Sequence, residues 1–183
     1  GRISNIRVDY RSGVQKVVAY LHSLGHRRLA FAGHHSMLGP TSEREKAFLD
    51  AVTQCSPTAC HFVATAADSL SGGRQAASEI LGSGFSPTAI ICVNDFMAAG
   101  VLRELRDRGM RVPADVSVTG FDNIQLAGYL SPSLTTVHIP RAEIGRLAFE
   151  VLIPDSPNGN PQPNETRIDP ELVVRESTAV ACR

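Results

Sequence analysis

The chain of 183 residues is 43% hydrophobic and 20% charged, which is typical of a globular protein with a sizeable core. Its 18 basic and 18 acidic side chains cancel, so we expect no general attraction to nucleic acid or to an anionic membrane. The sequence has no apolar run of membrane-spanning length, and its first residues lack the apolar region of a signal peptide.

Cysteine and histidine form no metal-binding pattern. The cysteines, Cys55, Cys60, Cys92 and Cys182, show no CxxC or zinc spacing, so we predict free thiols in a reducing cytoplasm. His34 and His35 are adjacent but lack a third ligand, so we predict no metal site. The sequence also lacks a G-x-S-x-G elbow, a Walker loop and a G-x-G-x-x-G fingerprint. We therefore expect neither a cofactor nor an enzyme.

Strands and helices alternate in the first part of the chain, which is typical of a parallel sheet covered by helices. The predicted strands cover residues 3–8, 29–32 and 61–64, and the predicted helices cover 12–23, 42–52 and 74–81. A polar turn is predicted at 68–73. The chain starts in a strand–helix unit with no partner strand before it, so we expect a fragment of a longer protein.

The helix predicted at 42–52 begins with a capping-box pattern, in which Ser42 is the N-cap and Glu45 follows three residues later. This pattern places Arg44 in the first turn, where its charge opposes the helix dipole. Another interaction should therefore favour Arg44 at this position, which makes a solvated surface arginine the weaker interpretation.

The stretch from Pro87 to Asn123 reads as one complete strand–helix–strand unit. The strand at 89–93 is wholly apolar, as in a parallel sheet buried on both faces. Asp95 is the predicted N-cap of a helix at 96–108, and the next strand covers 116–121 and ends at Asp122. Beyond it we predict a short helix at 124–130, an extended segment at 134–139, a helix at 141–152, a loop at 154–165 and a closing strand at 172–175.

Several polar residues follow predicted strands and should meet at one edge of the sheet, where open α/β sheets bind ligands. They are Asp9, Arg44, Asn94 and Asp122, with Asp68 as a weaker member. Carboxylates, amides and guanidinium groups hydrogen-bond hydroxyls, so the set suits a sugar or a nucleoside. The alternative is that they cap helices and form turns. We prefer that alternative for Asp95, and both interpretations stay open for Asn94 and Asp122.

Three segments resemble the effector-binding domain of the lactose-repressor (LacI/GalR) family of bacterial transcription regulators. They read P-T-A-I-I-C-V-N-D-F-M-A-A-G, then R-G-M-R-V-P-A-D-V-S-V-T-G-F-D-N, then L-S-P-S-L-T-T-V, in the order and spacing of that family. The resemblance extends from about residue 8 to residue 177.

The resemblance implies an α/β fold of the periplasmic-binding-protein-like (type I) class, a parallel sheet flanked by helices, with one lobe nearly complete and the other truncated. Residues 1–25 would be a remnant of the N-terminal subdomain, and 26–138 would form the C-terminal subdomain. Residues 139–169 would return to the N-terminal subdomain, and 170–183 would supply the last strand of the C-terminal one.

The resemblance also implies the site. Family residues that match Arg44, Asn94 and Asp122 commonly touch the effector, and Asp68 lies near the place of a further contact. This sequence has no aromatic residue near Asp68, which weakens a guess of a planar ligand. Tyr10 replaces the asparagine that usually follows Asp9, so we interpret Asp9 as structural. We expect Arg44 and Asp122 to serve the effector and not to fill the core.

The implied partners are a small-molecule effector, a second copy of the chain, and operator DNA bound only through a head absent from this chain. The homodimer would form through Leu126, Tyr129, Leu130 and Leu134, although these side chains could instead cap the local core. The protein would act in the cytoplasm without a membrane partner. A periplasmic solute-binding protein for sugar transport, which shares the fold, is the alternative.

Overall fold

The computed structural model describes residues 5–35, 39–55, 59–152 and 165–182. The predicted loop at 154–165 lies almost entirely outside these ranges. Within them, no helix is both long enough and apolar enough to cross a membrane.

Fourteen elements follow one another along the described chain, and strands alternate with helices over most of it. They are β1 Asn5–Val8, α1 Tyr10–Ser23, β2 Arg28–His34, α2 Gly39–Cys55, β3 Cys60–Ala66, α3 Leu70–Gly82, β4 Ala89–Cys92, α4 Asp95–Asp107, β5 Ser117–Thr119, a 3-10 helix Gln125–Gly128, β6 Thr136–His138, α5 Arg141–Leu152, β7 Glu165–Ile168 and β8 Glu171–Val173. The predicted α/β class is confirmed.

The main sheet has four parallel strands in the order β3-β2-β4-β5. Phe31 of β2 lies opposite Ile91 of β4, which in turn lies opposite Thr119 of β5. The central strands are apolar because helices cover both faces, as the sequence of β4 predicted. All of these strands point the same way, so their carboxyl ends form a single edge.

Two smaller pairings complete the strand arrangement. β1 pairs with β7 in parallel, and β6 pairs with β8 in antiparallel fashion. β7 was not predicted. The last strand, β8, was expected to close the main sheet, but it pairs with β6 instead. The segment around β6 lies alongside the end of β5. Two isolated parallel bridges join them, from Thr119 to Thr135 and from Asp122 to His138.

The buried faces of α1 and α4 match the sequence pattern. Val14, Val17, Val18 and Leu21 of α1 are at most 2% exposed, and Met97, Val101 and Leu105 of α4 are completely buried. The rings of Phe31 on β2 and Phe48 on α2 stack at 5.1 Å between centroids and join strand to helix. This core fixes the positions of the helix starts that surround the sheet edge.

The start of α2 differs from the prediction. The helix includes Gly39 and Pro40, so the Ser42–Glu45 pattern lies inside the helix and is not its cap. Proline suits the first turn of a helix, since its missing N–H has no partner there in any case. Arg44 consequently lies in the second turn, and the dipole argument made for it does not apply.

The predicted turn at 68–73 is also partly wrong, because α3 already begins at Leu70 with Ser69 as its N-cap. Gly73 of α3 and Gly100 of α4 serve the close packing of these two helices. A Cβ at Gly73 would lie 2.1 Å from the carbonyl oxygen of Met97, and one at Gly100 would lie 2.0 Å from that of Leu70. Only glycine permits α3 and α4 to approach this closely.

Candidate functional site

Arg44 and Asp122 meet at the carboxyl edge of the main sheet. The Nη2 atom of Arg44 donates to Oδ1 of Asp122 at 2.9 Å, and Nη1 donates to the carbonyl oxygen of Val93 at 2.6 Å. Arg44 is only 6% exposed, although the Asp122 side chain remains 26% exposed. The sequence placed both residues at this edge, and the structure joins them as an ion pair.

Two aromatic rings enclose the Arg44 guanidinium. Its central carbon lies 4.7 Å from the centroid of the Tyr10 ring and 4.0 Å from that of Phe121. Guanidinium groups are attracted to aromatic faces at such distances. Neither ring was predicted to belong to the site, although both residues directly neighbour the aspartates at strand ends. Arg44 therefore also belongs to the core, contrary to the expectation that it would not.

Asn94 caps a helix, as the structural interpretation has it, and it also contacts another residue of the polar edge. Its Oδ1 accepts from the backbone N–H of Met97 at 2.9 Å and so caps α4. Its Nδ2 donates to Oδ1 of Asp68 at 2.6 Å, which brings Asp68 into the same edge. Asp68 is exposed, and its Oδ2 has no protein partner among the described residues.

Asp95 is not the N-cap that the sequence predicted. It is the first residue of α4 and is 1% exposed beneath the site. Its carboxylate accepts from the hydroxyl of Thr136 at 2.5 Å and from the backbone N–H of Ile124 at 2.8 Å. Burial raises the pKa of Asp95 to about 6, against the opposing effect of these two donors. Asp95 thus fastens the segment that follows Asp122 to α4.

Asp9 has structural partners on both carboxylate oxygens. Oδ1 accepts from the backbone N–H of Ser12 at 3.0 Å and caps α1, and Oδ2 accepts from Arg167 of β7 at 2.5 Å. This geometry agrees with the structural interpretation of Asp9.

The four residues expected at a dimer interface do not behave alike. Tyr129 is 78% exposed and Leu126 is 37% exposed, and Leu130 is partly covered. Leu134 is completely buried in the core of its own chain, because it packs beneath Gly120. The assignment of Leu134 to an interface is therefore corrected, since a side chain without exposed surface cannot contact a partner.

The histidine pair of the sequence takes no part in a metal cluster. Within the described ranges, no three side chains of His, Cys, Asp or Glu are grouped to hold a metal ion. The Nδ1 atom of His35 instead lies 3.2 Å from the hydroxyl of Thr65.

The edge offers hydrogen-bonding capacity that the described residues do not use among themselves. Asp122 Oδ2 and Asp68 Oδ2 can each accept from a hydroxyl, and Arg44 Nε is buried without a partner in the described structure. An array of fixed acceptors and a guanidinium beside aromatic rings can orient a small polar ligand.

The parallel main sheet and its covering helices define an α/β domain with polar residues at the carboxyl edge of the strands. The chain belongs to the family of periplasmic binding protein-like domains, whose model matches residues 18–178. Within that family it is an effector-binding domain of the LacI/GalR type, as the resemblance implied.

Three relatives illustrate the similarity. The chain is 38% identical over 175 residues to an uncharacterized HTH-type transcriptional regulator of Streptomyces limosus, covering 93% of this chain and 49% of the relative. A LacI family transcriptional regulator of Arthrobacter, solved with lactose, is 31% identical, with a TM-score of 0.82, covering 96% of this chain and 65% of that chain. A dimeric Lac repressor with a C-terminal deletion is 25% identical, with a TM-score of 0.90, covering 98% and 65%. The chain spans about half the length of the curated relative.

Proposed function

We propose that this chain is the effector-sensing part of a LacI-type transcriptional repressor that acts in the cytoplasm. It binds a sugar or a sugar-like molecule in a cleft at the carboxyl edge of the main sheet. The observation that carries this proposal is the Arg44–Asp122 ion pair, which is desolvated on the arginine side and open to solvent on the aspartate side.

The unused bonding capacity of this edge favours a polyhydroxylated ligand. Asp122 and Asp68 each have one carboxylate oxygen without a partner among the described residues, and carboxylates accept well from neighbouring sugar hydroxyls. The partly exposed Tyr10 adds aromatic surface against which a sugar or a nucleoside could lie, whereas Phe121 is buried and supports the Arg44 guanidinium. The lactose found in the Arthrobacter relative supports the choice of a sugar.

The mechanism that we propose is thermodynamic linkage. The effector binds between two subdomains and favours one of two arrangements, so it shifts a dimer between forms that do and do not bind operator DNA. DNA binding would belong to a separate head, since this chain has no net charge. The subdomain boundaries at residues 26, 139 and 170 are part of this proposal.

A periplasmic solute-binding protein for sugar transport is the alternative within the same fold. The similarity to an HTH-type regulator over 93% of the chain favours the regulator. Identification of the segment that precedes residue 1 in the encoded protein tests the choice, because a helix-turn-helix supports the regulator and a signal peptide supports transport.

The Asp122→Asn substitution should weaken effector binding roughly tenfold, since a hydrogen bond to a charged group contributes about 1.5–3 kcal/mol. Asparagine tolerates the positive φ of 100° at this position and keeps the side-chain shape. The measurement is calorimetric titration of the full-length protein with lactose, ribose and adenosine. Asp107→Asn, which changes an exposed aspartate paired with Arg103 on α4, is the matched control. Equal affinities for wild type and Asp122→Asn would contradict the proposed site.

The exposed apolar residues Leu126 and Tyr129 lead us to propose that two copies of the chain pair through the 3-10 helix. A tyrosine that is 78% exposed next to a leucine gives an apolar surface suited to two-fold association. Tyr129→Lys should convert the dimer to a monomer, as measured by light scattering at several concentrations. Phe149→Lys, at a phenylalanine 63% exposed on α5, should leave the dimer intact. A Tyr129→Lys protein that stays dimeric would exclude this surface.

A further inference from the structure

The turn that carries Asp122 has an unusual backbone. Asp122 has φ 100° and Asn123 has φ 48°, the only positive φ angles among the non-glycine residues that the structure describes. Such conformations cost energy for residues with a Cβ, although asparagine and aspartate tolerate them best. Two in succession persist only where surrounding contacts hold them.

The Asn123 side chain is held from two sides in a single orientation. Nη2 of Arg175 lies 2.7 Å from Oδ1 of Asn123, and Nδ2 of Asn123 lies 3.1 Å from Nδ1 of His138. Arginine can only donate, so the amide oxygen must face Arg175 and the amide nitrogen must face His138. The Nδ1 atom of His138 is therefore the acceptor and carries no proton.

Both partners of Asn123 are themselves fixed. Arg175 donates from Nη1 to the carbonyl oxygen of Leu134 at 2.6 Å, and its backbone N–H donates to the hydroxyl of Thr135 at 2.9 Å. His138 lies in β6, paired with Glu171 of β8. Asn123 thus connects the turn to β6 and to the segment that follows β8, 52 residues away in the sequence.

The neighbouring backbone groups of the turn are also bonded. The Asp122 carbonyl accepts two N–H groups of Arg141 at 2.8 Å each, and the Asp122 N–H donates to the carbonyl of Val137 at 2.8 Å. Only the Asp122 carboxylate leaves the turn toward Arg44. The direction of that carboxylate is consequently set by how the turn is held.

We propose that Asn123 is a positioning residue for the Asp122 carboxylate and acts through its hydrogen bonds to Arg175 and His138. This inference rests on the proposed function, in which Asp122 contacts the effector. Asn123 itself bonds within the protein, so its influence on the effector is indirect.

Two substitutions distinguish the effect of the Asn123 side-chain hydrogen bonds from the effect of its tolerance of a positive φ. Asn123→Gly removes the amide but favours the positive φ at least as well as asparagine does. Asn123→Asp keeps both bonds, because its carboxylate accepts from Arg175 and from the other tautomer of His138. If the amide positions the turn, aspartate should behave like wild type and glycine should not. If only backbone preference matters, glycine should equal or exceed wild type.

The first measurement needs no ligand. Hydrogen exchange of the backbone amides of Asp122 and Ile124 should accelerate roughly tenfold in Asn123→Gly, because the loss of the two side-chain hydrogen bonds favours local opening of the turn. Asn123→Asp, which keeps both bonds, should retain the exchange rate and the melting temperature of the wild type. Wild-type exchange in Asn123→Gly would overturn the proposal.

The second measurement titrates lactose, ribose and adenosine into the full-length variants. Affinity for the ligand that binds should fall several-fold in Asn123→Gly and should recover in Asn123→Asp. Loss of affinity in Asp122→Asn together with wild-type affinity in Asn123→Gly refutes only the positioning role. Unchanged affinity in Asp122→Asn refutes the proposed site, and the exchange measurement still decides whether Asn123 holds the turn.

Discussion

Replacement of Arg44 by alanine should destabilise the folded protein by about 3 kcal/mol, a typical cost of removing one partner from a largely buried ion pair. The substitution leaves the Val93 carbonyl without its donor and the Asp122 carboxylate without its counter-charge. It also empties the space between the Tyr10 and Phe121 rings, so packing is lost as well as charge. Urea unfolding of the wild-type and variant proteins measures the difference.

The control for this experiment is Arg11→Ala. Arg11 forms an ion pair with Asp50 between α1 and α2, but both side chains are about half exposed, at 48% and 47%. Ion pairs of this kind contribute little to stability, so Arg11→Ala should unfold at the wild-type urea concentration. An Arg44→Ala protein as stable as Arg11→Ala would show that the enclosed guanidinium does not support the fold. The expected instability also makes Asp122 the better position for effector measurements.

The alternation of strands and helices could be predicted because the core dictates it locally. The apolar run from Ala89 to Val93 can only be a strand covered on both faces, and the four-residue spacing of Met97, Val101 and Leu105 requires a helix with one buried face. The same logic placed Arg44 and Asp122 at one edge, since residues that follow parallel strands share that edge.

The remaining features depend on contacts between residues far apart in the sequence. Gly73 reads as a turn residue until the distance from α3 to α4 is known. Leu134 lies in an apolar segment like Tyr129, but only the packing beneath Gly120 shows that it is buried. Local patterns carry no information on such pairs, so the errors are concentrated where tertiary packing overrides local preference.

The site shows the same division. The sequence could place Asp122 at the carboxyl edge of the sheet, but the hydrogen bond from Arg175 to Asn123 joins residues 52 positions apart. The rings of Tyr10 and Phe121 come from distant parts of the sequence and meet around Arg44. The polar residues of a site are thus predictable from strand ends, whereas the residues that hold them are not.

Asp95→Asn should remove a pH dependence that the buried carboxylate imposes on stability. The pKa of Asp95 is raised from 3.8 to about 6 by burial, so the folded state holds this proton more tightly than the unfolded state does. Its contribution to stability is complete below pH 3.8 and is lost as the pH rises through about 6. Between pH 4 and pH 7 the variant should therefore gain about 2 kcal/mol relative to wild type.

Urea unfolding of both proteins at pH 4, 5, 6 and 7 measures this difference. His26, whose pKa burial lowers, titrates in both proteins and cancels when they are subtracted. Asparagine can replace both contacts of Asp95, since its oxygen accepts from the Ile124 N–H and its nitrogen donates to the Thr136 hydroxyl. A constant offset at all four pH values would mean that Asp95 titrates as an ordinary exposed aspartate.

Asp115→Asn provides the control of opposite sign. Arg111 donates to the Asp115 carboxylate and lowers its pKa to about 2, so its contribution is present above pH 3.8 and is lost only as the pH falls through about 2. The difference between Asp115→Asn and wild type should stay constant from pH 4 to pH 7. A slope in that range for Asp95→Asn alone would assign the pH dependence to the carboxylate that joins α4 to the turn after Asp122.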